Sequence, residues 1–536
     1  MLKQYFSNNN KIVSSTYDEL NRLTNRTIQT STGVLGATSE TYTYDELGRL
    51  INGNDNLNNP VSFNYDSLNR LINETNNNEN TNYTYDQNSN ITSINNTNYS
   101  YDIANRLQTI KNGTESIANY TYNSLTQTKQ TLGNGVITNY SYDELLRLST
   151  LGNYNYTYNT QGNITNDGKD SYTYDILGRL TSVNYDKVNT PGYNGDKIER
   201  FYYDNVGNRT NQENYTLKET STETCSDETV VEDITLPNGK TKTVERKQRK
   251  CETAVTQTEK QKNTLTYNTN QLNQYTKLQN LNKNGEVKKE FTYNYDKNGN
   301  LTKDDINQYF YDYKNRLVKV IQNEVIKVDE NGNILETIPE KEIVKYSYDV
   351  LGRRTTKQTQ EEKINYIYAG QNAIQENIYT QSGTTLTLKE TRQNIYSNNL
   401  DDILFTIVVD EINQTSKQYY YEKNHLGSIT KITDELGAIV EQYEYDVFGT
   451  AYANVNNVEA VTEAQSNKTL SIKKSDGSET ASQGDSEEIT INNIRYKRYN
   501  GVGKIWNMPG PKGGNTLGVR DCIQVESMMQ NGNYII

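Results

Sequence analysis

The chain has 536 residues, a formal net charge of −12 and a hydrophobic content of only 33%, and its apolar material is unusual in holding 45 tyrosines against 7 phenylalanines. That length exceeds one ordinary globular core, so the chain is either several domains or one repeat array. The acidic balance is spread over short segments with no basic stripe, which argues against a nucleic-acid surface, and no run nears the roughly 18 apolar residues of a membrane span. Residues 1–10 show no apolar stretch of the export-signal kind. Disorder is disfavoured because the sequence is rich in Tyr, Thr, Ile and Val, residues that disordered segments lack.

The organising unit is Tyr172-Thr-Tyr-Asp-Ile-Leu-Gly-Arg-Leu180, which recurs as Tyr42 to Leu50 and Tyr346 to Arg354. Tyr-Asp or Tyr-Asn pairs open a unit at Tyr17, Tyr44, Tyr65, Tyr85, Tyr101, Tyr122, Tyr142, Tyr158, Tyr174, Tyr203, Tyr295, Tyr311, Tyr348 and Tyr445. Steps of varying length near 20 residues suit hairpins with variable loops better than helical repeats of fixed length. Tyr42 and Tyr44, two apart, share one face of a strand, with Thr43 on the other. Asp45 then opens a turn through its own backbone, and the third residue after it must tolerate positive φ.

That position holds Asn21, Gly48, Asn69, Asn105, Gly162, Gly178, Gly207, Gly299, Asn315, Gly352 and Gly449, and departs from the rule at Ser89, Thr126 and Leu146. The structural turn residues are therefore read as Asp45 with Gly48, Asp66 with Asn69, Asp175 with Gly178, Asp349 with Gly352 and Asp446 with Gly449. The Arg-Leu that follows begins the return strand, its Leu inward and its Arg near the Tyr or Asp of the same hairpin. A single hairpin is marginal in water, so stability must come from adding strands to neighbours. The expected fold class is all-β: tandem β-hairpin repeats forming one continuous antiparallel sheet that coils into a spiral or partial shell. The repeat is already running at Tyr17, which reads as part of something longer.

Five segments follow: a repeat array over 1–210, a charged β-hairpin insert over 211–263, a second array over 264–453, a low-complexity linker over 454–488 and a divergent segment over 489–536. In the insert, Leu236-Pro-Asn-Gly-Lys240 joins an acidic arm to a basic one. Pairing about position 238 sets Asp227 opposite Arg249 and Cys225 opposite Cys251, a candidate disulfide whose roughly 25-residue loop would contribute about 3 kcal/mol; two surface thiols are the plainer reading. Val325 to Ile334 is a smaller hairpin with an Asn-Gly turn.

Catalytic, metal and cofactor sites are not expected. His425 is the sole histidine, which removes paired-histidine metal sites. Asp residues that recur in every unit speak for turn chemistry before general acid and base work.

The Tyr-Asp-x-x-Gly/Asn-Arg-Leu units resemble the YD repeats of the Rhs (rearrangement hotspot) proteins over residues 1 to about 450, and Asn424-His-Leu-Gly-Ser428 with Tyr443-Glu-Tyr-Asp-Val-Phe-Gly449 looks like the end of an Rhs core. Bacterial wall-associated proteins, the C components of insecticidal toxin complexes and the teneurins share this resemblance. It implies a β-sheet spiral forming a hollow shell, which in bacterial members encloses and delivers a C-terminal toxin. It also implies a secreted or cell-surface location, with an enclosed toxin or the rest of a longer parent chain as partner. The family's self-cleaving aspartyl motif has no counterpart, and Asp521 does not match it. A non-enzymatic shell segment is thus the first functional reading. The alternative is a carbohydrate-binding or adhesive surface module, with tyrosine rings stacking on glycans.

Overall fold

The structure, a computed structural model, describes the backbone of residues 3–8, 11–29, 35–185, 197–235, 241–328, 334–455, 486–491 and 494–499. Side chains are described over 12–28, 35–185, 197–216, 259–326 and 334–451. Every regular element among these residues is a β-strand. The strands form a first sheet of sixteen (residues 3–155), a second of nine (157–292), a third of sixteen (294–499) and a separate two-stranded hairpin. Throughout the first and second sheets, neighbours in sequence are neighbours in the ladder, and every printed pairing is antiparallel, as tandem hairpins require.

Two compact units divide the chain. One comprises residues 1–156, 269–277 and 291–536, and so holds the first and third sheets; the other comprises 157–268 and 278–290.

One hairpin shows how the sequence makes the element. Ser39–Tyr44 pairs with Leu50–Asp55, in register from Glu40 opposite Asp55 to Thr43 opposite Asn52, and then shifts by one so that Tyr44 meets Leu50. The same shift follows Asn64, Thr173 and Ser347. It is the bulge that accompanies a three-residue loop ending in a left-handed residue. The left-handed φ is present at all eleven expected Gly or Asn positions, and also at Ser89 (68°) and Leu146 (60°). Those two obey the geometry without the favoured residue, because the hydrogen bonds of Asp86 and Asp143 set the turn. Thr126 escapes by shortening the loop: Asn123 N–H donates to Thr126 C=O, and Tyr122 pairs with Gln127.

Inside the first unit the first and third sheets meet along a seam. Its hydrogen bonds join Asn77 to Thr355, Asn76 to Tyr368, Tyr99 to Tyr396, Asn134 to Thr433 and Gln418 to Glu115, and in these five the sequence separation stays between 278 and 303. A ribbon folded back on itself would hold the sum of the paired numbers constant. Here the difference is constant while both partners advance, which is how a coiling ribbon meets its own next winding. The largest core cluster lies on this seam, joining Ile110, Ile117 and Leu132 to Ile395, Leu404, Phe405 and Tyr420.

The charged insert continues as two long strands, Arg209–Thr235 and Thr241–Thr269, whose backbone register sets Asp227 opposite Arg249 and Cys225 opposite Cys251. The thiols and the tip 236–240 lie outside the described residues. Val325–Val328 pairs with Ile334–Ile338 as a hairpin off the third sheet. Residues 456–485 and 500–536 fall outside the described residues.

Candidate functional site

The recurring built features of this fold are the links between repeats and the seam between the first and third sheets. Each turn begins with its aspartate or, as at Asn123, Asn159 and Asn424, an asparagine. Asp45 Oδ1 accepts from Arg49 N–H at 2.9 Å and Oδ2 from Arg49 Nε at 2.6 Å, while Gly48 N–H donates to Asp45 C=O. Asp66 and Asp175 repeat the pattern with Leu68 and Arg70, and with Leu177 and Arg179; Asn69 and Gly178 sit at φ 65° and 78°. Asp349 does the same with Leu351 and Arg353, beside Gly352 at 93°. Asp446 accepts from the backbones of Phe448 and Thr450, with Gly449 at 82°, and there Thr450 stands where other turns have Arg.

These bonds hold several of the carboxyls below the ordinary carboxylate range. In Asp18 and Asp66 the backbone N–H of Arg22 or Arg70 is the leading cause, working against partial desolvation. In Asp45 and Asp175 desolvation pulls upward but is outweighed by the backbone and guanidinium of the Arg four residues on. A general acid at neutral pH needs the opposite shift.

The arginine is the residue that sequence reasoning placed too loosely. Its Nε serves its own turn, but its Nη1 reaches the next one: Arg22 to Asp45 C=O at 2.9 Å, Arg49 to Asp66 C=O at 3.2 Å, Arg106 to Asn123 C=O at 2.7 Å, and Arg316 to Asp349 C=O at 2.9 Å. Its plane lies over the next unit's tyrosine, with Arg49 4.7 Å from the Tyr65 centroid, Arg106 4.5 Å from Tyr122 and Arg316 4.8 Å from Tyr348. That tyrosine returns the link, its hydroxyl donating to the backbone of the preceding unit: Tyr44 to Leu23, Tyr65 to Leu50, Tyr122 to Leu107 and Tyr348 to Leu317. Each of these arginine junctions thus combines a cation–π contact with two hydrogen bonds, and the planar, forked cation suits both ends at once. The rings of Tyr65, Tyr122 and Tyr348 are committed to these contacts. At Asn90, Asn208 and Asn300 a shorter amide replaces the arginine and binds its own aspartate, and at Asn90 and Asn300 it also donates to the side chain of the next turn's Asn105 or Asn315.

At the seam, charges are buried. Arg353 Nη1 binds Glu74 Oε2 at 2.8 Å and Gly370 C=O at 2.8 Å, its Nε binds Asp349, and Glu74 also accepts from Gly370 N–H and from the Tyr83 hydroxyl. Burial works against the Arg353 guanidinium, but the carboxylates of Asp349 and Glu74 more than offset it. Glu40 accepts from Lys314 at 2.6 Å, Tyr42 at 2.7 Å and Arg26 at 3.2 Å; burial raises its carboxyl, and the Lys314, Tyr313 and Tyr42 hydrogen bonds bring it below the usual range. Glu40 was findable, since it lies on the Tyr42 face of its strand, where a carboxylate needs a partner. Its partner was not findable, being 274 residues on (314 − 40). His425 sits in the turn from Asn424 to Ser428, its ring 4.9 Å from that of Tyr156.

Comparison with known proteins follows this geometry. Residues 3–151, nearly the whole first sheet, match the family model of the teneurin YD-shell. The tRNA3(Ser)-specific nuclease WapA of Bacillus spizizenii is 26% identical over 174 residues, 32% of this chain and 6% of that protein. A crystal structure of TcdB2-TccC3-Cdc42 superposes with a TM-score of 0.50 at 16% identity, covering 82% of this chain and 23% of that one, a likeness of fold. The chain therefore spans a small part of the relatives it matches. Turn and link recur along the chain, and over residues 3–151 the chain is similar to the YD-repeat shell of the teneurins.

Proposed function

We propose that the chain is a wall segment of an Rhs-type shell, non-enzymatic in itself, which within a longer assembly encloses a toxic C-terminal cargo and carries it outside the cell. The observation that supports this reading most is the seam with its near-constant separation, because a coiling ribbon sealed by buried ion pairs is suited to bounding a volume. The recurring aspartates, ion-paired and held low, support the non-enzymatic part. A shell role accords with the YD-shell match. Enclosure and delivery go further, and they are tested on the longer polypeptide by scattering and limited proteolysis. The expected result is an internal void with the enclosed segment protease-resistant; a solid particle with an accessible C-terminal segment overturns the proposal.

The glycan-binding alternative draws little support from repeat tyrosines such as Tyr65, Tyr85 and Tyr122, whose rings lie beneath arginines. It would have to use the exposed outer ladders of Thr, Ser and Asn, such as Thr84 with Thr92 and Ser100 with Thr109. A broad glycan array that stays silent removes it.

A further inference from the structure

Five successive units share a run that neither the turn nor the link between repeats uses: Asn82-Tyr-Thr-Tyr85, Asn98-Tyr-Ser-Tyr101, Asn119-Tyr-Thr-Tyr122, Asn139-Tyr-Ser-Tyr142 and Asn155-Tyr-Thr-Tyr158. Each opens with an Asn-x-Thr/Ser tripeptide. The alternation of a strand sets the asparagine and the hydroxyl residue on one face and the tyrosine between them on the other. The structure shows that division. Asn82, Asn98, Asn119, Asn139 and Asn155 are exposed, as are Thr84, Ser100, Thr121 and Ser141, while Tyr83, Tyr99 and Tyr156 are buried.

Strand register lays the asparagines out as a staircase on the open face of the first sheet. Asn98 stands level with Thr84 through Ser93, Asn119 with Ser100 through Thr109, Asn139 with Thr121 through Lys129, and Asn155 with Ser141 through Thr150. Each asparagine therefore lies two strands over and two residues along from the one before, roughly 12 Å away by strand spacing and rise. Lys129 is the only charged residue among these positions. The amides are lightly committed: Asn98 Nδ2 donates to Asn96 C=O at 3.2 Å and Asn119 Nδ2 to Ser116 Oγ at 3.0 Å, each bond needing one of two hydrogens. Asparagine is not demanded by the hairpin either, because the same slot in the third sheet, before Tyr309, Tyr346 and Tyr443, holds Gln308, Lys345 and Gln442.

We propose that this staircase is a modification site, with Asn82, Asn98, Asn119, Asn139 and Asn155 carrying N-linked sugar from a transferase that uses a phosphate-activated sugar. Asn-x-Thr/Ser is the tripeptide such chemistry accepts, and the sugar it adds is bulky and needs open surface. Nδ2 bonds to the anomeric carbon as that carbon's bond to phosphate oxygen breaks; the phosphate leaves with the electron pair and the amide gives up one proton. The second amide hydrogen stays for the local contact. A pleated strand holds amide and hydroxyl residue roughly 7 Å apart, too far to act together, so attachment precedes laying of the strand into the sheet, and the finished fold has only to leave room. This face would then present sugars instead of reading them. The inference rests on exposure and register and on no cargo, so it stands or falls separately from the shell function.

The test is peptide mapping by mass spectrometry of the chain isolated from the cells that make it, beside Thr84→Val and Thr84→Ser variants expressed in the same cells. The proposal expects sugar on the peptides that hold the five asparagines, its loss at Asn82 alone in Thr84→Val, and its retention there in Thr84→Ser. Peptides bare at all five positions overturn it. So does sugar at Asn82 that persists in Thr84→Val, because the tripeptide is then not what is recognised.

Discussion

Leu146 holds φ at +60° in a turn where most other units use glycine or asparagine, and more than half of its side chain is exposed. A left-handed conformation costs a branched L-residue about 1–2 kcal/mol, and little burial is lost here, so Leu146→Gly should stabilise the protein by about 1 kcal/mol. Thr126→Gly, in the shortened loop without positive φ, should give no gain; thermal unfolding of both variants checks the contrast. The aspartates and tyrosines of the repeat set opposite pH limits. Asp18, Asp66 and Asp102 titrate lower folded than unfolded, so the stability they contribute is complete above the ordinary carboxylate pKa of about 4. It falls away as pH drops from there through their depressed values. Desolvation pushes Tyr140 and Tyr421 up to about 12. Their contribution is full below the free tyrosine pKa of about 10 and is lost as pH rises from there through about 12. Unfolding at stepwise alkaline pH, followed with tyrosinate absorbance, should show ionisation delayed beyond pH 10 and then coincident with loss of strand signal.

At the scale of elements, the hairpin was legible because everything that makes it lies within nine residues: Tyr-x-Tyr for the face, Asp for the turn, Gly or Asn for positive φ. The arginine was only half legible, since its second partner comes a whole repeat later, 17 residues on for Arg49 and 33 for Arg316, and the loop between varies. The seam was illegible, because nothing local to Glu74 or Asn77 names partners nearly 300 residues away. Removing one member of the buried Glu74 and Arg353 pair should cost about 3–5 kcal/mol. Glu74→Gln, Arg353→Met and the double variant, compared by denaturant unfolding, should show a clear coupling, whereas additive costs would place the two groups apart. In the insert, the backbone sets Cys225 opposite Cys251. We propose that they are joined; peptide mapping without reductant should recover the linked pair, and two free thiols would refute the link.

At the scale of the whole chain, the repeat explains coiling in physical terms. Most junctions add a similar bulge, and many the same Arg–Tyr contact, so they turn the ribbon in one sense, and these turns accumulate into windings that meet at a near-constant sequence distance. Gly53 shows how close the meeting is, and Gly53→Leu should destabilise the protein by about 1–3 kcal/mol through overpacking against Val350. The teneurin YD-shell match to residues 3–151 covers nearly all of the first sheet, and the seam extends the same logic to residues 312–437. The central claim, that the ribbon coils and seals on itself, is tested most directly by short-range chemical cross-linking with peptide mapping across residues 12–156 and 291–451. The account predicts long-range links whose residue numbers differ by about 270–300, Glu40 to Lys314 among them. Links whose residue numbers share a constant sum, or their absence between these two segments, would contradict it.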